Sequence, residues 1–192
     1  AIGKGRASIV TDEIERVTEH GIRLKSGAEL PADVVVTATG LQLMALGGAQ
    51  FSVDGQTVEL SRTMSYKGMM LSGLPNLAYC VGYTNASWTL KADLASTYVC
   101  RVLNYMERHG YRRCVARNID PGVREEPLID FSSGYVQRSI DQFPKQGSKA
   151  PWKLYQNYLL DLLMLKYGRI QEDVLHFSGE SAAADALTAD PS

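Results

Sequence analysis

The run Asp33-Val34-Val35-Val36-Thr37-Ala38-Thr39-Gly40 constrains the fold most. Adjacent β-branched valines favour extended backbone, and an unbroken apolar run leaves no polar face for water. Such a strand is expected to be buried on both faces, as in a parallel sheet, with the small residues after it forming a turn. A second apolar run, Leu77-Ala78-Tyr79-Cys80-Val81-Gly82, also ends on glycine and leads into the polar loop Tyr83-Thr84-Asn85-Ala86-Ser87-Trp88-Thr89. Behind it Ala95, Val99, Val102, Leu103 and Met106 recur at helical spacing, predicting a helix from about Leu90 to Glu107 with Gly110 as its stop. Strand, loop and helix in this order predict an α/β fold with parallel-sheet strands and packing helices.

The rest of the chain is organised around these two units. Residues 7–36 read as a β-meander with tight turns at His20-Gly21 and Ser26-Gly27, where glycine accepts positive φ. Residues 51–60 read as a hairpin about Asp54-Gly55. Residues 111–150, interrupted by Pro121, Pro127 and Pro144, predict extended chain and turns with a short helix near 135–142. A last helix is expected from Pro151 to Tyr167, with Trp152, Tyr155, Tyr158, Leu159 and Leu162 as its apolar stripe and Gly168 beyond it. Beyond residue 179 the Ala/Ser/Asp-rich end predicts disorder.

Twenty Lys+Arg against twenty-one Asp+Glu in 192 residues leave a formal charge of -1, so no excess of charge draws the chain to nucleic acid. No apolar run approaches the roughly 20 residues of a spanning helix. The three cysteines, Cys80, Cys100 and Cys114, are widely spaced without a CxxC, against a disulfide framework or a zinc site. Cys80 and Cys100 read as buried thiols, and a reducing, cytoplasmic setting fits. His20, His109 and His176 lack partners at ligand spacing, and no metal is assigned. Ala1-Ile2-Gly3-Lys4-Gly5-Arg6 has neither an initiator Met nor a leader pattern and reads as a start inside a longer protein.

In open α/β sheets ligands gather beyond the carboxyl ends of strands, where a following helix directs N–H groups and partial positive charge at them. An anionic oxygen or an electron-rich ring suits such a place. Thr84, Asn85, Ser87 and Thr89 add short polar side chains there, and Trp88 an aromatic face. The competing reading, preferred on physical grounds alone, is that Asn85 or Ser87 merely caps the helix.

Residues 33–40 resemble the strand ending in Ala-Thr-Gly of flavoproteins with two dinucleotide-binding domains. The stretches Tyr66-Lys67-Gly68-Met69-Met70-Leu71-Ser72-Gly73-Leu74-Pro75-Asn76 and Val81 to Asp93 are more particular, and closely resemble the C-terminal part of flavin-containing monooxygenases of the Baeyer-Villiger type. Pro144-Lys145-Gln146-Gly147-Ser148, Pro151-Trp152 and Asn157-Tyr158 fit the same family, and the resemblance covers most of the chain. It implies an enzyme in which NADPH reduces FAD and the reduced flavin captures O2 as a C4a-peroxide. One oxygen atom would then enter a ketone or oxidise a soft sulfur or nitrogen. A flavin-dependent N- or S-oxygenase or reductase without Baeyer-Villiger activity is the alternative within the superfamily, and a non-enzymatic α/β module the alternative outside it.

In that scheme Thr39 and Gly40 pass near the middle of the FAD, and the residues from Asn85 to Lys91 lie along the isoalloxazine edge. The cofactor-binding set is then Thr39, Gly40, Thr84, Asn85, Leu90 and Lys91. Lys91 admits two readings, a cation near the flavin or NADPH and a solvent-facing lysine of the first helical turn, of which the second is preferred. Trp88 either lines the substrate cavity or anchors the loop in the core, and core packing is preferred. The partners implied are a small ketone or thioether and O2, with a peripheral membrane contact or a homo-oligomer left open.

The family's two GxGxxG loops and its histidine motif are absent, and Gly3-Lys4-Gly5-Arg6 replaces none of them. The family arginine falls outside this sequence, so no catalytic residue is assigned. Residues 1–110 are therefore expected to be the C-terminal part of an incomplete FAD-binding domain, 111–178 a tail packing on it and 179–192 a disordered end. The monooxygenase reading requires roughly 300 residues upstream with both glycine loops, whereas the non-enzymatic reading requires a gene starting near Ala1. Without the glycine loop the chain alone is expected to bind FAD weakly and not to turn over NADPH.

Overall fold

A computed structural model describes residues 1–129 and 133–179, so the tail beyond 179 lies outside the described residues. Residues Ala1–Leu41 form one compact unit and the chain from Gln42 a second.

The first unit is the expected meander: β1 (Ile14–Thr18), β2 (Gly21–Leu24) and β3 (Glu29–Pro31) pair antiparallel in chain order. Gly21 is obligatory at its first turn: φ is 151°, and a Cβ there would stand 2.0 Å from the Leu30 carbonyl oxygen. Residues 7–10 form no strand. Neither does the valine run: Val34, Val35 and Val36 are 78%, 41% and 83% exposed and enter no ladder. The expected double burial fails because a central strand cannot supply its own neighbours. It needs sheet partners at both edges and a layer over each face.

In the second unit β4 (Phe51–Val53) and β5 (Gln56–Val58) form the expected hairpin, with Asp54 and Gly55 at φ 52° and 78°. Positive φ at both turn positions matches the turn to the twist of the strands. A tighter hairpin follows, β6 (Ser65–Tyr66) and β7 (Met70–Leu71), turning through Lys67 and Gly68, both at positive φ. Residues 77–82 were expected to form a second apolar strand and instead run without a ladder, Tyr79 N–H bonding the Met69 carbonyl at 2.8 Å.

The helix α1 (Trp88–His109) is longer than expected and ends where expected: Gly110, at φ 69°, sends its N–H to the Glu107 and Met106 carbonyls. Its buried face runs through Leu94, Tyr98, Val102 and Met106, four residues apart, and includes Ala95. Leu103, assigned to that face from sequence, is 58% exposed. Behind α1, β8 (Arg113–Ala116) pairs antiparallel with β11 (Leu175–Ser178), and β9 (Glu125–Pro127) with β10 (Lys145–Gly147). The short helix α2 (Gly134–Gln137) overlaps the stretch 135–142 expected to hold one.

The last helix is shorter than expected. α3 (Tyr158–Asp161) continues as a π-helical turn, Leu162–Tyr167, while residues 151–157 are irregular. Trp152 therefore belongs to the core and not to a helical stripe; Tyr155, Leu159 and Leu163 face solvent. Arg101 of α1 donates to the Leu165 and Gly168 carbonyls, 2.6 Å each, satisfying acceptors that the wide turn leaves free.

The core joins α1 to the β6–β7 hairpin and to Trp152. The Trp152 ring meets Tyr66 edge-on at 5.7 Å, and the Tyr66 and Tyr98 hydroxyls share a hydrogen bond of 2.8 Å. Gly147 admits the indole: a Cβ there would approach the Trp152 Cβ to 2.5 Å. Cys80 and Cys100, expected to be buried, are exposed, and only Cys114 is enclosed. The architecture is mixed α/β, but the ladders among the described residues are antiparallel, and the parallel sheet expected from the valine runs is not among them. An isolated bridge, Met64 to Lys145, is parallel.

Candidate functional site

The site assembled from sequence centres on the loop 83–88 and the first turn of α1. Gly82 leads into it, and the Trp88 indole lies so close that a Cβ at Gly82 would stand 2.2 Å from its Cγ. The indole covers that glycine but is otherwise 62% exposed, which overturns its assignment to the core. Leu90, 40% exposed, adds a second apolar surface to the same turn.

Ser87 holds the N-cap position with extended backbone, yet its side chain caps nothing and shares a hydrogen bond of 2.7 Å with the Thr89 hydroxyl. Asn85 is no cap either: its Nδ2 donates to the Gln156 carbonyl at 3.1 Å. Thr84 donates to Gln156 Oε1 from its N–H at 3.0 Å and its hydroxyl at 3.3 Å. The capping preference is thus overturned: Asn85 is taken by a distant partner, and the Ser87 hydroxyl by its neighbour Thr89. Ser87 supplies no side-chain cap and the first turn holds no acidic residue of its own, so nothing within that turn neutralises the positive end of the dipole.

Lys91 corrects the preferred sequence reading. It is 6% exposed, and its Nζ donates to Asp161 Oδ2 at 2.8 Å. The Tyr83 hydroxyl donates to the same oxygen at 2.6 Å, and the lysine nitrogen stands 5.6 Å from the Tyr83 ring centre. Burial, and then the Asp161 carboxylate it bonds, pushes the Tyr83 phenol well above its ordinary range, so it stays a donor. A buried ion pair needs such extra hydrogen bonds to offset the loss of hydration.

Gln156 and Asp161 come from the far end of the chain. Gln156 adopts a left-handed backbone, φ 51°, directly before Asn157, whose side chain accepts the Leu160 N–H at 3.2 Å and caps α3. Asp161 follows one turn later, its N–H on the Asn157 carbonyl at 3.0 Å. Lys67 flanks the same crevice. Its Nζ donates to Glu172 Oε1 at 2.7 Å above the Tyr98 ring at 4.8 Å, and burial lowers its affinity for a proton although Glu172 opposes the shift. The crevice bounded by Lys67, Gly82, Tyr83, Lys91, Gln156 and Asp161 has only about 10 Å³ of free volume, too little for any organic ligand.

Thr84, Asn85, Trp88, Leu90 and Lys91 therefore share one loop and one helical turn. Thr39 and Gly40 belong to the first compact unit, where both are exposed on a segment without a ladder and Gly40 has φ 90°. Sequence reasoning missed Tyr83, Gln156 and Asp161. For Asp161 a signal existed, a single acid inside the apolar run Tyr158-Leu159-Leu160-Asp161-Leu162-Leu163-Met164-Leu165; nothing in the sequence named its partners.

The loop and first turn fit the edge of an electron-rich ring: a helix start that Ser87 does not cap, no acid in the segment itself and two exposed apolar side chains, Trp88 and Leu90. The pyrophosphate of a dinucleotide finds no glycine-loop cradle in this sequence.

No family model matches the chain, and no solved structure matches it. Among curated proteins it is 55% identical over 182 residues to the FAD-containing monooxygenase EthA of Mycobacterium tuberculosis, covering 95% of this chain and 37% of that protein. EthA of Mycolicibacterium smegmatis is 51% identical, with 96% and 38% covered. A protein of Acinetobacter baylyi named "Probable FAD-binding monooxygenase AlmA" is 45% identical, with 96% and 37% covered. The chain spans little more than a third of the length of these relatives and is homologous to that part of them.

Proposed function

We propose that this chain, homologous to a part of the FAD-containing monooxygenase EthA, is the C-terminal portion of an enzyme using FAD, NADPH and O2. Its reaction would be insertion of oxygen beside a ketone carbonyl or oxidation of a soft sulfur or nitrogen. The flavin, when bound, supplies electron exchange with NADPH and the activation of O2.

The observation that carries the reading is the start of α1, whose positive end has neither a side-chain cap nor an acid beside the exposed Trp88 and Leu90. In this reading the N–H groups of the first turn stabilise negative charge on the reduced ring. Trp88 and Leu90 exclude water from its edge. Thr84 and Asn85, tied to Gln156, would serve by holding the loop, and Thr39 and Gly40 would be among the residues that hold the cofactor. Lys91 acts through its pair with Asp161 and not as a free cation at the ring. Residues 1–110 belong to the FAD domain, 111–178 pack on it, and the enzyme works in the cytoplasm.

The test uses the protein expressed at the full length of its gene. It is expected to purify yellow and to consume NADPH with a ketone or a thioether. A protein that stays colourless with added FAD would refute the cofactor assignment. The isolated 192-residue chain is expected to hold FAD weakly and to leave NADPH untouched.

A further inference from the structure

We propose that Asp161 and Gln156 are positioning residues: the segment 156–161 forms a brace that fixes the loop 83–88 and the first turn of α1 in the place where they meet the flavin. The proposal rests on the flavin-facing reading of that loop. Tyr83 and Lys91 stand eight residues apart, one at the start of the loop and one in the first turn of α1, and both end on a single atom, Asp161 Oδ2, at 2.6 and 2.8 Å. Between them Thr84 and Asn85 bond Gln156 through three hydrogen bonds of 3.0 to 3.3 Å. The polar hooks of residues 83–85 are thus held by one short segment more than 70 residues away in sequence.

Local bonding does not fix the loop. Ser87 makes no cap, and its hydroxyl is occupied by Thr89. The brace is itself defined: Gln156 turns through left-handed backbone, Asn157 caps α3, and Asp161 follows on the same face one turn later. The crevice between brace and loop is too small to hold a ligand, so the carboxylate serves protein groups. Lys91 and Asp161 are each almost fully buried, and an ion pair so placed specifies geometry at least as much as it stabilises.

The experiment uses the full-length flavin-loaded protein with Tyr83→Phe, which keeps the ring and the ion pair, and Gln156→Ala, which deletes one acceptor. A Lys91→Met/Asp161→Leu double variant removes both charges without leaving one alone. Hydrogen exchange of residues 84–90 reads the loop. The flavin absorption spectrum and the hydrogen peroxide released per NADPH consumed read its effect on the cofactor. Exchange at residues 84–90 is expected to rise about tenfold in Tyr83→Phe, the scale of one charge-assisted hydrogen bond, with a shifted spectrum and more peroxide. Wild-type exchange in both single variants would overturn the brace. Faster exchange with an unchanged spectrum and peroxide yield would uphold the brace and overturn the flavin-facing reading instead. If the double variant folds and shows wild-type exchange in the loop, the ion pair is excluded from the brace.

Discussion

At its C-terminal end α1 stops on Gly110, whose left-handed backbone closes the last turn with its own N–H while Arg108 and His109 face the negative end of the dipole. At its N-terminal end the residue in the capping position caps nothing, and order comes from Gln156 and Asp161 of a distant segment. One end is finished by residues within a turn of it and the other by tertiary contact. The locally finished end has carbonyl acceptors satisfied by its own cap. An end held from behind can leave its N–H groups facing outward, as a binding edge requires.

That contrast can be broken at either end. Asp161→Leu strands the Lys91 ammonium in a site where both partners are less than a tenth exposed, and should lower stability by about 3–5 kcal/mol. Adding Lys91→Met should restore most of that loss, as read by urea unfolding; a double variant no better than the single would deny that the stranded charge is the cause. At the other end Gly110→Ala places a side chain at φ 69°, costing about 1 kcal/mol. Since a Cβ there meets nothing within 4 Å, the loss should be purely conformational, and Gly110→Asn should recover part of it.

The N-terminal end should also carry an alkaline signature. The folded-state pKa of Tyr83 is raised above the ordinary 10.0, so its contribution is whole below that pH and is lost as pH rises toward the folded value. Tyr83→Phe should therefore show a shallower fall of the melting temperature above about pH 10 than wild type. Tyr66 and Tyr98, also raised, leave the remaining slope in place. The smallest effect concerns the three cysteines on and around the helix. Cys100 on α1 and Cys80 before it are exposed, whereas Cys114 is enclosed and its thiol is pushed up to about 11 by burial. In this chain a thiol reagent should label two cysteines rapidly and Cys114 only on unfolding; three fast thiols would place Cys114 outside the core.

Structure that closes on itself within a few residues was legible in the sequence. The meander, the Asp54-Gly55 hairpin, α1 and its Gly110 stop follow from turn chemistry and periodicity, whose partners lie nearby in the chain. The valine run and residues 77–82 were misread because a central strand is defined by its neighbours, which the described residues do not supply. The candidate site was legible as a stretch of chain, 84–91, but not as a set of contacts. Trp88 left the core, Asn85 left the cap, and Lys91 left the surface for Asp161.

The sequence by itself determined the turns, the existence and stop of α1, the kinship with FAD-containing monooxygenases and the absence of a glycine-loop phosphate cradle. Only the tertiary structure decided which polar groups of the loop are free and which are bound. Hydrogen bonds and ion pairs form between groups that folding brings within about 3 Å, and Tyr83 and Lys91 meet Asp161 at one carboxylate oxygen across 78 and 70 residues of chain that no periodicity links.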